Sequence, residues 1–514
     1  MEKHVSIDVY KLKLLLGGII VGILSGAVVS MFRWSIQSSL TVFQHFYVEA
    51  KSNWGIVVGL LAFLIVVGII VGFMLKKEPN ISGSGIPQVE AQLDGDLKIK
   101  WWSVLWRKFV GGILSIGPGL FLGREGPAIQ LGSTIGQGFG ELSHVDSPTT
   151  KRILIASGAA GGLAAAFNAP LAGCMFVIEE IYHNFSPMVW LTALASAVSS
   201  NLVALYVFGL TPVLDIPYKF SLPVGMYWHL IALGIILGLL GRLYQIVILY
   251  MPSLYAKTKI PRSFQGLIPL ILLVPVGMMF PKFIGGGNGL IVSLNHMNVG
   301  FWILAGIFIL RFIFSMISYG SGLPGGIFLP ILNLGAIIGA VYAVFMNQMG
   351  LLPISYESNL IIFAMAGYFA CISKAPFTAI ILVTEMVGSL GHLMPLVVIS
   401  LIAYIVVDIL NGAPIYEALK EKLTLNSTYL NQVSKYNDRI EIPVYEGSSI
   451  DGEYIRDISF PKEVLVIAIY RGEREIIPRG DTVVKAGDRI VMMVNAAQRA
   501  KFKKRLTTLI NGID

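Results

Sequence analysis

Long apolar stretches set the first constraint on this chain. Residues 14–32, 54–75, 188–209, 227–251, 300–318 and 390–407 each approach the ~20 apolar residues that a helix needs to cross a hydrocarbon core. In hydrocarbon every backbone N–H and C=O must find its partner inside the protein, so such segments span as helices. Of the 514 residues, 55% are hydrophobic and 13% charged, roughly half the charge of an ordinary soluble domain. The chain is therefore read as a polytopic membrane protein. Its first apolar run has a basic flank but is long, and no small-residue cleavage site leads from it into a soluble stretch, so it is expected to be retained as a span. Lys3, Lys11 and Lys13 ahead of it place the N-terminus in the cytoplasm by the positive-inside rule. Basic cytoplasmic loops also account for the net charge of +8. With no basic stripe carrying interleaved aromatics, a nucleic-acid partner is not expected. Cys174 and Cys371 lie in separate apolar stretches without a CxxC spacing and read as buried thiols, with no metal site.

Near residue 420 the texture turns polar and mixed in charge, in "LKEKLTLNSTYLNQVSKYNDRIEIPVYEGSSI". We place the domain boundary there, with a membrane region over 1–425 and a tail over 426–514. The tail's stretches "RIEIPVY", "EVLVIAIY", "REIIP" and "DRIVMMV" are β-rich and separated by turn sequences, which predicts a small soluble α/β domain.

The membrane region aligns with itself, in repeats of roughly 10–215 and 225–425. "GGLAAAFNAPLAGCMFVIEEI" from Gly161 lies over "GYFACISKAPFTAIILVTEMV" from Gly367, matching Ala169-Pro170 with Ala375-Pro376 and Glu179 with Glu385. "GREGPAIQLGSTIG" from Gly123 lies over "GIFLPILNLGAIIG" from Gly326, matching Pro127 with Pro330 and Gly136 with Gly339. Chance likeness between glycine- and alanine-rich helices is the competing explanation; an internal repeat is the common architecture of transporters.

Three glycine and proline interruptions, "GSGIP" at 83–87, "GREGP" at 123–127 and "GLPGGIFLP" at 322–330, each precede an apolar helical pattern. Gly allows tight turns and Pro suits the first helical turn, so these read as helix N-termini inside the membrane. Broken backbone at that depth is tolerated where it is buried in protein or lines a cavity. Uncommitted N–H groups and positive dipole ends then converge on an anion. Taken alone, each motif has a kink or a close helix crossing as its alternative, favoured for "GSGIP"; all three at corresponding places of a repeated chain favour a dry anion site. A phosphate-binding P-loop is excluded, because no Gly-x-x-x-x-Gly-Lys-Ser/Thr is present. Ser84 supplies a hydroxyl donor that contacts an anion without trapping it behind a full charge. Lys108 either raises the local positive potential or anchors a helix at the interface.

Intramembrane carboxylates cost at least about 2.5 to 3.5 kcal/mol to insert and are functional candidates. Glu125 carries an anion that can occupy the N–H-lined site and leave it on protonation, acting as gate and proton acceptor. A structural ion pair with Arg124 is the alternative, although adjacent helical residues do not face each other. In "FVIEEIYHNF", Glu179 matches Glu385 and reads as structural, a cap or backbone partner. Glu180 is matched by Met386 and is unpaired in the repeat; it is either a proton acceptor on the cytoplasmic side or a solvated acid at a helix end. No nucleophile–base pair or metal-ligand set emerges, so an enzyme is not expected, and His183 reads as an interfacial histidine.

The ordered motifs "GSGIP", "GREGP" and "GGIFLP" resemble those of the chloride channel and transporter family, the CLC family, over about residues 10–425. The resemblance implies an all-α, inverted-repeat membrane fold with discontinuous helices and a homodimer with one pathway per subunit. It also implies a multi-pass protein of the cell membrane with both termini in the cytoplasm. Ser84, with Gly85 beside it, looks like the central-site serine. Ile327 and Phe328 look like the residues whose amides contact the anion, and Tyr416 in "GAPIYEAL" like the tyrosine that completes the site. Glu125 looks like the gating glutamate, with Lys108 and Arg124 as electrostatic support. An acid at Glu180 resembles the proton-coupled exchangers, where channels of the family typically carry an uncharged residue. The implied function is exchange of chloride for protons, with no cofactor; a passive voltage- or ligand-gated chloride channel is the alternative.

The tail resembles the C-terminal lobe of RCK (TrkA-C) regulatory domains, most tellingly in its Gly-Asp-Thr and Gly-Asp-Arg turns at 480–482 and 487–489. That likeness implies a regulatory ligand, with cyclic di-AMP as the candidate and Arg456, Arg471, Arg474 and Arg479 available for its phosphates or simply solvated. A potassium pathway suggested by the tail alone is not expected, since no "TVGYG"-like filter is present.

Overall fold

The computed structural model describes residues 9–182, 186–210, 212–214, 216, 221–294, 299–426, 437–461, 463–472, 474–495, 502, 505–506 and 508–510. Lys3 and His183 lie outside the described residues. Contacts divide the chain into two compact units, a helical one made of most residues up to Glu421 and a second that takes the chain from Lys422 onward.

The helical unit opens with α1 (Val9–Glu49), α2 (Trp54–Lys77), α3 (Ile86–Leu93), α4 (Trp101–Ile116), α5 (Glu125–Leu142), α6 (Pro148–Phe167), α7 (Pro170–Phe176) and α8 (Pro187–Phe208). It continues with α9 (Trp228–Ala256), α10 (Leu267–Met279), α11 (Asn288–Leu294), α12 (Phe301–Gly320), α13 (Phe328–Gln348), α14 (Glu357–Ser373), α15 (Pro376–Val387) and α16 (Leu393–Ile409), and ends in α17 (Ile415–Asn426). Among the described residues, seven helices are long and apolar enough to cross a membrane. Most keep half or less of their apolar window buried, whereas Phe328–Gln348 is 83% buried, so protein rather than lipid surrounds α13. Such a helix is the one that can carry irregular, polar surroundings at membrane depth.

The self-alignment of the sequence has its counterpart in the backbone. α1–α8 and α9–α16 run in the same order of long and short helices. The residue before α5, Arg124, has φ −90° and ψ −10°; the residue before α13, Ile327, has φ −100° and ψ −8°. α6 ends on Asn168 in the left-handed region (φ 54°) and α14 on Lys374 (φ 60°), and each turn is followed by Ala-Pro opening α7 or α15. Where the repeats meet, Gly123 and Gly326 hydrogen-bond each other both ways in antiparallel sense, N to O at 2.7 and 2.6 Å. That two-way bridge between equivalent positions is the signature of a pseudo-two-fold axis.

Small residues let the helices inside each half approach closely. Gly132 and Gly136 of α5 lie against the backbone of Gly158 and Leu154 of α6, with Gly158 and Gly162 facing back onto Gly132 and Ala128. In the second half, Gly335 and Gly339 of α13 meet the backbone of Ala364 and Leu360 of α14. With no hydrophobic drive between helices in lipid, close packing of this kind holds them together. Caps define the ends: the Ser147 hydroxyl accepts from Thr150 N–H, with Pro148 in the first turn of α6.

The second unit carries a four-stranded antiparallel sheet, β1 (Asn437–Pro443), β2 (Leu465–Arg471), β3 (Arg474–Ile476) and β4 (Asp488–Asn495), in the order β1-β4-β2-β3. Each of the four β-rich stretches of the tail forms one of these strands. Ile440, Ile442, Ile469, Ile490, Met492 and Val494 line one face, and Phe502, Leu506 and Ile510, four residues apart, pack with them as a helical stripe.

Replacing Gly158 by Val should break the α5–α6 contact, because the added atoms fall on the Gly132 carbonyl, which is backbone and has nowhere to go. The expected outcome is loss of the monodisperse, folded protein in detergent, read by fluorescence-detected size exclusion, whereas Gly59→Val, where a side chain meets open space, should leave the elution profile unchanged.

Candidate anion and proton site

The loop ahead of α3 is shaped by two glycines with positive φ, Gly83 (61°) and Gly85 (95°), flanking Ser84. Its backbone is pinned from several sides. Ser82 donates its hydroxyl to Gly322 O at 2.9 Å, and Gly325 N–H donates to Gly83 O at 3.0 Å, so the first and third interrupted motifs are laced together. Lys108, fully buried on α4, donates its ammonium to Ile81 O at 2.9 Å and Gly83 O at 2.7 Å. That location rules out an interfacial anchor. Lys108 is a clamp on the loop, and its charge is brought beside Ser84 through backbone carbonyls rather than through a direct contact.

Ser84 is buried and its hydroxyl packs against Gly126, the second residue of α5. The "GSGIP" and "GREGP" motifs, about forty residues apart in sequence, are thus in contact. Glu125 is fully buried, and its Oε2 fills the space beside Gly123 where a side chain would otherwise stand, next to the Leu329 N–H and the Pro330 ring. Neither carboxylate oxygen closes a well-formed hydrogen bond among the described residues. Arg124 is also buried, and its Nε lies 4.0 Å from Glu125 Oε1, outside hydrogen-bonding distance, because Arg124 stands ahead of the helix rather than on its face. The carboxylate therefore sits at the start of α13, whose first N–H groups, including those of Ile327, Phe328 and Leu329, precede the intrahelical ladder. This is a location suited to an anion.

Tyr416 completes the cluster from α17. Its ring stands edge-on to Phe176 at 6.1 Å, and Phe176 in turn packs on Phe328 at 5.8 Å. The Tyr416 and Ser84 hydroxyls are both buried without a hydrogen-bond partner among the described residues. A buried hydroxyl left unpaired costs roughly 1–3 kcal/mol, a penalty that an acceptor bound at either hydroxyl would remove. The donors assembled here are hydroxyls and peptide N–H groups, which offer partial charges only. Gly85 contributes no side chain; its open Cα face is filled by Gln130.

The paired glutamates separate cleanly into two roles. Glu179 accepts from Phe377 N–H at 3.1 Å and from Thr378 N–H at 2.7 Å, capping α15, while Glu385 accepts from Leu171 and Ala172 N–H at 3.0 and 2.8 Å, capping α7. Each repeat thus caps the equivalent helix of the other, and the alignment of Glu179 with Glu385 has a physical cause. Glu180 is not solvated: it is 4% exposed, on a wide π-type turn from Val177 to Tyr182 that continues α7. Charged neighbours of Glu180 are Glu90 on α3, Glu179, and Glu417 and Lys420 on α17.

Several charged residues here escaped the reading of the sequence. Arg33 on α1 donates to Asn168 Oδ1 at 2.9 Å, stacks on Phe208, and lies in electrostatic range of Arg124 and Glu125. Arg311 on α12 is buried and donates to Phe283 O, Gly285 O and Gly286 O at 2.7–2.8 Å and to Asn333 Oδ1 at 2.8 Å, holding the loop that packs on Leu122 and Leu329. Both interrupt long apolar runs, "VVSMFRWSI" and "IFILRFIF", and a search for lone cations as well as lone acids would have found them.

In the sheet unit Arg456, Arg474 and Arg479 are exposed. Arg471 instead holds Asp488 through two hydrogen bonds of 2.8 and 2.7 Å and also donates to Val483 O, so its guanidinium is committed within the unit.

Residues 67–408 match the family model of the voltage gated chloride channel, and residues 439–507 match that of the TrkA-C domain. The chain is 36% identical over 433 residues to the H(+)/Cl(-) exchange transporter ClcA of Vibrio campbellii, covering 80% of this chain and 90% of that protein. It is 33% identical over 456 residues to the protein of the same name from Vibrio cholerae, covering 84% and 94%. Among solved structures, a slow cyanobacterial Cl-/H+ antiporter superposes with a TM-score of 0.76 at 29% identity, over 80% of this chain and 98% of its own.

Lys108→Met keeps the buried volume but removes both charge-assisted bonds to the loop. Hydrogen bonds from a charged donor are each worth about 1.5–3 kcal/mol, so chloride affinity, measured by calorimetry on the purified protein, should weaken by at least about tenfold.

Proposed function

We propose that this chain, which belongs to the voltage gated chloride channel family, exchanges chloride for protons across the cell membrane. The observation that carries the reading is the Glu125 carboxylate, fully buried at the N–H-rich start of α13 and beside Ser84's neighbour Gly126. A carboxylate in an anion site competes with the transported anion. Deprotonated, Glu125 occupies the site and closes it; protonated, it loses the charge that holds it there and yields to chloride. One residue so couples the two ions, because each proton taken up is linked to vacating an anion position.

The second proton station is Glu180. Burial of an acid that the repeat does not require supports a function in one half only, and passive channels of the family typically lack that acid. Ser84 and Tyr416 hydroxyls with the Ile327 and Phe328 amides hold the anion, and their partial charges keep it weakly bound enough to leave. Arg124 and the clamped Lys108 lend positive potential. We assign the N-terminus to the cytoplasm from its basic flank, and a cytoplasmic C-terminus and a homodimer with one pathway per subunit from the family likeness.

The TrkA-C match supports a regulatory tail, with cyclic di-AMP as its candidate ligand. Exposed Arg456, Arg474 and Arg479 are the phosphate partners in this reading; Arg471 is set aside because Asp488 holds it.

Three outcomes test these assignments. In reconstituted vesicles Glu125→Gln should keep chloride flux and lose proton coupling, and retained coupled proton flux would contradict its gating role. Glu180→Val should likewise move chloride while proton flux disappears; coupling left intact would assign the proton pathway elsewhere. Calorimetry of the full-length protein with cyclic di-AMP should give saturable heat that Arg474→Ala together with Arg479→Ala diminishes, and absence of heat from the unaltered protein would remove that ligand.

A further inference from the structure

The acid cluster around Glu180 contains a cation that the exchange mechanism has not used. Glu90, on the last turn of α3, is 2% exposed, and its Oε2 lies 3.7 Å from the Lys420 ammonium on α17, whose side chain is largely covered. α3 also packs directly on the π-type turn that carries Glu180. Glu417, three residues before Lys420 and adjacent to it on the helix surface, is exposed. The described charges facing Glu180 are therefore Glu90 from α3, Glu179 from its own turn, and Glu417 and Lys420 from α17. Glu179 is occupied with capping α15. What remains is a graded series: an exposed acid, a buried ion pair, and a buried acid.

α17 adds a second relation. Tyr416 and Lys420 are four residues apart and so share one face of the helix. The first places a hydroxyl among the anion-site aromatics; the second places a cation beside the proton station. One short helix borders both ion pathways.

We propose that Glu90 and Lys420 form a positioning pair for the proton branch, fixing the charge against which Glu180 exchanges protons with water. The ammonium offsets the Glu90 charge, so the pair sets the field in which Glu180 takes up and gives back its proton. The inference rests on the exchange reading above.

The test is a pair of neutralising variants of the full-length protein in liposomes, with proton and chloride flux measured together from pH 4.5 to 7.5. An opposite charge within ~4–6 Å shifts titration by about one to three units. Lys420→Met removes the cation 3.7 Å from Glu90 and should move the pH profile of proton flux about one unit toward alkaline pH, with proton flux per chloride down about tenfold below neutrality. Glu90→Gln removes the negative charge and keeps the ammonium, and should move the profile the opposite way. Lys420→Arg should match the unaltered protein, which separates charge from folding. Profiles that coincide with the unaltered protein, or that both move in one direction, would overturn the pairing. Absence of proton flux in the unaltered protein would instead overturn the exchange reading itself.

Discussion

Gly123 and Gly326 exchange two backbone hydrogen bonds of 2.7 and 2.6 Å, and much of the site follows from that contact. It brings the ends of two interrupted motifs together at membrane depth and sets α5 and α13 starting from one point. A side chain at Gly123 would fall on the Glu125 carboxylate and press on the Leu329 amide. Because the bonds satisfy peptide groups that would otherwise be bare in hydrocarbon, the irregular backbone there is stable. The first turns of both helices keep their N–H groups turned toward the junction. An anion site is then the natural use of the place, and Glu125 is the chain's own anion within it.

The same symmetry explains which acids are structural. Glu179 and Glu385 cap one another's partner helices, so the repeat needs both and spends both on backbone N–H groups. Glu180 and Glu125 have no equivalent acid in the other half, where Met386 and Phe328 stand. Departures from symmetry fall on the residues assigned to proton handling, while the residues that bind backbone are duplicated. The scaffold is symmetric and these acids are not.

Much of this was legible in the sequence because the signals are strong ones. Apolar runs of twenty residues announce spans, and α2, α8 and α12 begin within a residue of where hydropathy places them. Ala-Pro and Gly-Pro positions mark helix starts, and the repeat aligned Glu179 with Glu385 before any contact was known. The four tail strands were read from β-rich stretches bounded by turns. What stayed hidden depends on side-chain direction. Nothing in "VLWRKFVGG" says that Lys108 turns inward onto Ile81 and Gly83 rather than outward to headgroups. Arg471 reads like its neighbours Arg474 and Arg479 until the sheet sets it against Asp488, a register-dependent partner. Glu90 and Lys420 are more than three hundred residues apart, and α3 and α17 had no pattern to pair them.

Chloride movement that drives protons separates an exchanger from a passive channel. Its most direct measurement is proton uptake by sealed liposomes containing the purified protein, with a chloride gradient imposed and the membrane voltage clamped at zero. Protons moving against their own gradient, in proportion to chloride and stopping when the chloride gradient is dissipated, are the predicted result. Chloride movement at a normal rate with no proton displacement would contradict the account and leave a passive conductance in its place.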